Sequence, residues 1–165
     1  EARQLALLCR EYDALFIVND YPDIAELAWA DGVHLGQGDL PIGETRRLLS
    51  PGRIIGISTH SQEEAEQALK EGPDYLAVGP VCDTRTKAGE LMPGMGFDAA
   101  RRLIASIPLP TVCIGGLGPE NLGELMGTGC SAAAVISSAY RDGRVEENCR
   151  QMADILRKGG RQTAG

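Results

Sequence analysis

The sequence predicts an α/β fold, a parallel sheet whose strands alternate with helices. Three observations predict it. Short apolar runs recur along the 165 residues, at 15–18, 32–35, 54–57, 75–78, 111–114 and 132–136. Each run is near-continuous in apolar side chains rather than alternating, which marks strands covered on both faces. Each closes on glycine or a polar cluster, and a helix-length segment follows, giving the βα alternation of a parallel sheet.

The elements follow in order. Residues 2–12 read as a helix preceding the first run, and 24–30 as the helix after it. A weaker helical pattern lies near 44–49. Ser61 opens the next helix, with Glu64 at the capping-box position and Gly72 at its end. Segments 97–105, 119–126 and 146–158 complete the set. Trp29 and Tyr75 are expected to pack in the core. No low-complexity linker interrupts the pattern, so one domain over 1–158 is expected, with a flexible tail at 159–165.

Composition narrows the function. The chain is 43% hydrophobic and 24% charged, as globular domains are. A net charge of −7 argues against a nucleic-acid or acidic-membrane partner. An anion can still bind where local cations, backbone amides or a metal attract it. No apolar run approaches the roughly 20 residues of a membrane span, and Glu1-Ala2-Arg3 does not read as a signal peptide. Five cysteines, without a Cys-x-x-Cys pair, fit a reduced cytoplasm and buried thiols.

Two architectures suit six βα units. A doubly wound open sheet matches the length, whereas a complete (β/α)₈ barrel has eight units and usually at least about 200 residues. The strand ends favour the barrel. The first run ends in Asn19-Asp20, and the second in His34-Leu35-Gly36-Gln37 with Asp39 beyond. The third ends in Gly56-Ile57-Ser58-Thr59-His60. Gly79-Pro80 and then Thr84-Arg85-Thr86-Lys87 follow the fourth. Ile114-Gly115-Gly116-Leu117 closes the fifth, and Val135-Ile136-Ser137-Ser138 the sixth. A barrel directs all its C-terminal strand ends to one mouth, but an open sheet gathers only those near its switch point. The fold expected is therefore an incomplete TIM (β/α)₈ barrel with about six units.

Each cluster has a plain reading beside a chemical one. Asp20 and Asp39 suit helix caps and turns, or a Mg²⁺ site completed by phosphate oxygens. Gly115-Gly116 suits a tight turn, or a phosphate site built from backbone amides. Lys87 suits a solvated loop, or a cation that meets a leaving anion. His34 and His60 have no Cys or His at metal-ligand spacing. Ser58 has no evident base partner in the sequence. Cys82 lies nearest these clusters and is the thiol a reagent is expected to reach.

Taken together, "FIVNDYPDIAELAWADGVHLGQGDL", "GISTHSQEEAEQA", "DYLAVGPVCDTRTKAG", "CIGGLGPENL" and "AAAVISSAY" resemble the thiamine-phosphate synthase (thiamine-phosphate pyrophosphorylase) family over roughly residues 5–158. The Asn-Asp, His-x-Gly-Gln-x-Asp, Gly-Pro…Thr-x-Thr-Lys and Ile-Gly-Gly motifs occur in order with fitting spacing. The resemblance implies a TIM-barrel transferase that joins hydroxymethylpyrimidine diphosphate to hydroxyethylthiazole phosphate and releases pyrophosphate. It implies Mg²⁺ on Asp20 and Asp39, and Asn19 on the diphosphate or pyrimidine side. Ser58 and Lys87 would hold the diphosphate as the catalytic pair. Thr84 and Thr86 would face the thiazole phosphate. Gly116 and the backbone at Ile136 and Ser137 would close around that phosphate. Such chemistry needs metal ligands, donors and glycines, with no protein nucleophile.

The family has eight strands, and six are counted here. The first two are expected to be missing from the N-terminus, together with a Gln-x-Arg-x-Lys cluster that nothing in 1–14 replaces. The absent initiating Met favours a piece of a longer protein over a short gene. Weak or no synthase activity is expected of this form, and open strand edges make self-association an expectation. Two alternatives stand beside the synthase. One is an isomerase resembling thiazole tautomerase, which shares the Ser-x-His-Ser-x-Glu-Glu-Ala pattern of 58–65. The other is a non-catalytic phosphate-binding remnant.

Overall fold

The structure, a computed structural model, describes residues 1–85 and 91–160. Its strands are β1 (Ile17–Asn19), β2 (Gly32–Leu35), β3 (Ile54–Thr59), β4 (Tyr75–Val78), β5 (Thr111–Ile114) and β6 (Ala132–Ala134). Strand order follows chain order, β1-β2-β3-β4-β5-β6. The helices are α1 (Ala2–Glu11), α2 (Pro22–Ala28), α3 (Ile42–Leu48), α4 (Gln62–Glu71), α5 (Phe97–Ala105), α6 (Ser137–Tyr140) and α7 (Val145–Gly160). Two compact units, Glu1–Leu76 and Ala77–Gly165, are described in turn.

In the first unit β1, β2 and β3 are parallel, with Val18 opposite Val33 and Val33 opposite Ile55. These β-branched side chains pack with Ala25, Ala30, Leu35, Ile42 and Leu49 into one buried cluster, lined by Phe16 and Ile57. Leu35 is fully buried there, and truncating it to Ala would cost about 2–5 kcal/mol. The capping reading of α4 holds: Ser61 accepts from the Glu64 amide at 3.2 Å, and Gly72 ends the helix in the left-handed conformation. Arg3 and Arg10 of α1 donate to the carbonyls of Leu27 and Trp29, partnering acceptors at the end of α2 that the helix itself leaves open.

Trp29 departs from expectation. It caps α2 at φ +57° and is 57% exposed, with the Arg3 guanidinium 5.4 Å above its ring. A left-handed cap directs the indole outward, and the cation covers one face of it. Tyr75 is only partly buried, because its hydroxyl reaches a polar partner described below.

In the second unit β5 and β6 are parallel, with Cys113 opposite Ala133. Leu103 and Ile104 of α5 are buried, as are Leu122 and Leu125 of the 3₁₀ helix Leu122–Gly127 and Met152 of α7. The 3₁₀ helix replaces the α-helix expected at 119–126. Gly118, Gly123 and Gly127 in and before this segment weaken the α preference. Helix α7 continues to Gly160, past the expected start of the tail, and 161–165 lie outside the described residues.

All five cysteines are free, and only Cys113 is buried, against the expectation of buried thiols. Cys113 and Cys130 share a side-chain hydrogen bond. That contact holds Cys130 down at about 6 and pushes Cys113 up, with burial adding to the latter. Among the described residues no helix is long and apolar enough to cross a membrane.

Candidate active site

Parallel strands end on the same side, so β1, β2 and β3 present their C-terminal residues together. Asn19, the last residue of β1, is exposed and pairs in register with His34. Asp20 follows at φ +69°, its amide donating to the His34 carbonyl at 2.8 Å. Aspartate tolerates this conformation better than most side chains. Asp39 lies in the turn after β2, where its Oδ2 accepts from the Gly36 amide at 2.6 Å. Both carboxylates are half-buried.

Ser58, near the end of β3, is held at two points. Its hydroxyl lies 2.9 Å from His34 Nε2, and its carbonyl accepts from Gln37 Nε2 at 2.6 Å. The other ring nitrogen, His34 Nδ1, lies 2.8 Å from the Tyr75 hydroxyl, with the two rings stacked at 5.5 Å. Tyr75 fits there because Gly56, opposite His34 in register, leaves the space its ring fills. Burial pushes the Tyr75 phenol up to about 12, so it keeps its proton. The sequence showed no base beside Ser58, yet the fold brings an imidazole to it from the neighbouring strand. A protonated phenol does little to strengthen that imidazole as a base. The chain Tyr75–His34–Ser58 therefore orients a hydroxyl as a hydrogen-bonding group rather than ionising it.

Asp20 and Asp39 give two hard oxygen donors at adjacent strand ends. Among the described residues no group of three or more His, Cys, Asp or Glu gathers to hold a metal ion. A two-carboxylate set does not suit Zn²⁺. It fits Mg²⁺, which takes one or two carboxylates and completes its shell with water and phosphate oxygens.

In the second unit β4 ends at Val78, followed by a cis Gly79-Pro80 bond. The chain then runs beside the end of β5, with the Val81 and Cys82 amides donating to the Ile114 and Gly115 carbonyls at 2.9 and 3.0 Å. Thr84 is half-buried and pairs with Met92 in an antiparallel bridge, while Arg85 is exposed. Thr86 and Lys87 lie outside the described residues.

The fifth strand leads into Gly115 and Gly116, at φ +97° and +63°. Glycine is required here on conformation and on space. A Cβ at Gly116 would stand 2.5 Å from the Asp83 carbonyl oxygen, and one at Gly115 would stand 2.5 Å from Pro80. Ser138 donates to the Leu117 carbonyl at 2.6 Å, which sets the exposed Ile136 and Ser137 beside this turn. Asn121, given no role from the sequence, bonds to Gly116, Gly118 and Cys82. Its signal was present as an Asx residue three positions after a turn glycine. The Cys82 thiol is pushed up, first by burial and then by Glu124, Asp83 and Glu120. It stays a thiol near neutral pH, which slows its reaction with a reagent that reaches it.

Comparison with known proteins shows the family. The family model described as thiamine monophosphate synthase matches residues 1–139. A thiamine-phosphate synthase of Synechocystis is 48% identical over 135 residues, which are 82% of this chain and 39% of that protein. One from Chlorobium luteolum is 42% identical over 155 residues, 94% of this chain and 73% of that protein. The chain thus spans about two fifths of the length of the first and nearly three quarters of the second. The solved structure of a thiamine phosphate pyrophosphorylase from Pyrococcus furiosus superposes with a TM-score of 0.87 at 36% identity, over 96% of this chain and 75% of that one. By its motifs, its fold and these matches, the chain belongs to the thiamine monophosphate synthase family.

Proposed function

We propose that the chain carries the site for coupling hydroxymethylpyrimidine diphosphate to hydroxyethylthiazole phosphate, with release of pyrophosphate, on βα units of the TIM (β/α)₈ type. The observation that carries this reading is the pair Asp20 and Asp39 at the ends of adjacent parallel strands, with Ser58 held at the end of the next. The bond from the pyrimidine methylene to the diphosphate breaks, and its electron pair leaves with the diphosphate. The thiazole nitrogen lone pair then forms the new C–N bond. No protein nucleophile is consumed, in keeping with a site of carboxylates, hydroxyls and glycines.

Mg²⁺ bound at Asp20 and Asp39 would neutralise the leaving diphosphate. Ser58, oriented by His34, donates to a diphosphate oxygen. Asn19 contacts the diphosphate or pyrimidine, and Lys87 meets the leaving charge. Thr84 and Thr86 face the thiazole phosphate. Gly116 and the backbone at Ile136 and Ser137 surround that phosphate, supported by the Ser138 tie to Leu117. The substrates are small phosphorylated molecules, which a cytoplasmic enzyme would meet.

The test is pyrophosphate release and thiamine phosphate formation with both substrates and Mg²⁺. Release that needs all three supports the proposal. Release that ignores the thiazole phosphate overturns it, as does failure to bind either substrate. Interconversion of carboxythiazole phosphate tautomers without pyrophosphate release would assign the isomerase reading instead.

A further inference from the structure

The glycine turn after β5 is held by one side chain. Asn121 Oδ1 accepts from the Gly118 amide at 2.9 Å, and Nδ2 donates to the Gly116 carbonyl at 3.0 Å. The same Nδ2 reaches the Cys82 sulfur at 3.4 Å, so each of its two hydrogens has an acceptor. Two successive glycines at positive φ have the most conformational freedom to lose on ordering, and neither has a side chain to restrain it. Asn121 supplies that restraint from three residues beyond the turn.

The restraint also sorts the turn's polar groups. A carbonyl facing an anion repels it, and the Gly116 carbonyl is occupied by Asn121. The Gly118 amide is likewise occupied. Among the described residues, the Gly116 and Leu117 amides carry no hydrogen bond. Successive amides left open in a positive-φ turn form a concavity suited to anions.

We infer that Asn121 is a positioning residue, which fixes the Gly115–Gly118 turn so that the Gly116 and Leu117 amides receive a phosphate monoester. The inference rests on the phosphate-site reading proposed above. It adds that affinity for the phosphorylated thiazole depends on a side chain that touches no substrate atom.

The experiment uses the whole chain and its Asn121→Ala and Asn121→Asp variants. Asp keeps the acceptor for Gly118 but replaces the donor to Gly116 with an anionic oxygen. Two readouts are taken: KM for each substrate with kcat, and the Gly116 and Leu117 amide resonances during titration with inorganic phosphate. Both variants are expected to raise KM for the thiazole phosphate about tenfold or more. KM for the pyrimidine diphosphate should stay within about twofold. The two amides should move with phosphate in the parent and need about tenfold more phosphate in the variants. If Asn121→Ala does not fold, Asn121→Asp decides by the same readouts.

Unchanged KM values, or both raised equally, overturn the inference, as do amides that ignore phosphate in the parent. Turnover by the parent without a response of these amides removes the inference and leaves the proposed reaction standing. Phosphate binding through Asn121 without turnover does the reverse.

Discussion

On the proposed reading the ends of β1 to β3 and the turn after β5 would both take phosphate groups, but by opposite means. The first region works through side chains: Asp20, Asp39 and Ser58, the last held by His34. The second works through the backbone, where Gly115 and Gly116 keep side chains out and Asn121 fixes the shape. In the first, one functional group can be deleted while the chain's path is kept. In the second, shape and function are the same atoms, so a substitution alters both.

That difference orders the expected effects. Asp39→Asn keeps an acceptor for the Gly36 amide while removing the charge proposed to bind Mg²⁺. It should weaken Mg²⁺-dependent binding of the pyrimidine diphosphate about tenfold or more, and lower such turnover as the chain shows, with an unchanged melting temperature. Steady-state assays over a Mg²⁺ titration, beside a thermal melt, would check this. A large loss of stability would show that this carboxylate also builds the fold, erasing the contrast.

Gly116→Ala should act on both quantities. A non-glycine residue at φ +63°, with its Cβ 2.5 Å from the Asp83 carbonyl oxygen, costs about 1–3 kcal/mol. Denaturant unfolding should register that cost, and KM for the thiazole phosphate should rise with it. A variant that binds normally but melts early would reduce this turn to a structural feature.

Ser61→Ala provides the calibration at a residue given no part in either region's chemistry. Losing the cap on the Glu64 amide should cost about 1 kcal/mol, or about 2–4 °C in melting temperature, with turnover unchanged.

The pH dependence of the thiols sharpens the comparison within the second unit. Iodoacetamide labelling of Cys130 should rise through a pH of about 6, because Cys113 stabilises the Cys130 thiolate. Cys82 should label slowly until well above neutral pH, since burial and three carboxylates disfavour its thiolate. Peptide mapping after brief labelling at pH 7 would read both.

The two regions were also unequally legible in the sequence. The apolar runs at 32–35, 75–78 and 111–114 coincide with strands, because near-continuous apolar character with β-branched residues leaves little choice of period. The edges of β1 and β6 drifted: β1 starts two residues late, and β6 stops at Ala134. Asp20, Asp39 and the paired glycines could be picked out because residue type alone limits what they can do. The His34–Ser58 contact could not, since it depends on the register that places His34 opposite Gly56 and so brings Ser58 to the same face. Asn121 carries no distinct signal in the sequence for a related reason. An Asn after a turn glycine is common, and only the fold shows which carbonyl it reaches.

The exposed Trp29 decides how this protein can be watched. It is the only tryptophan in the chain, and it stands in solvent beneath a guanidinium. Its emission should already resemble that of a hydrated indole in the native state, so unfolding will shift the colour little. The optical change that does appear will come from Arg3 leaving the ring, which reports the docking of α1 on α2 and not the loss of the core. A melt followed by fluorescence would therefore time the release of the first helix, and circular dichroism would be needed to time the rest.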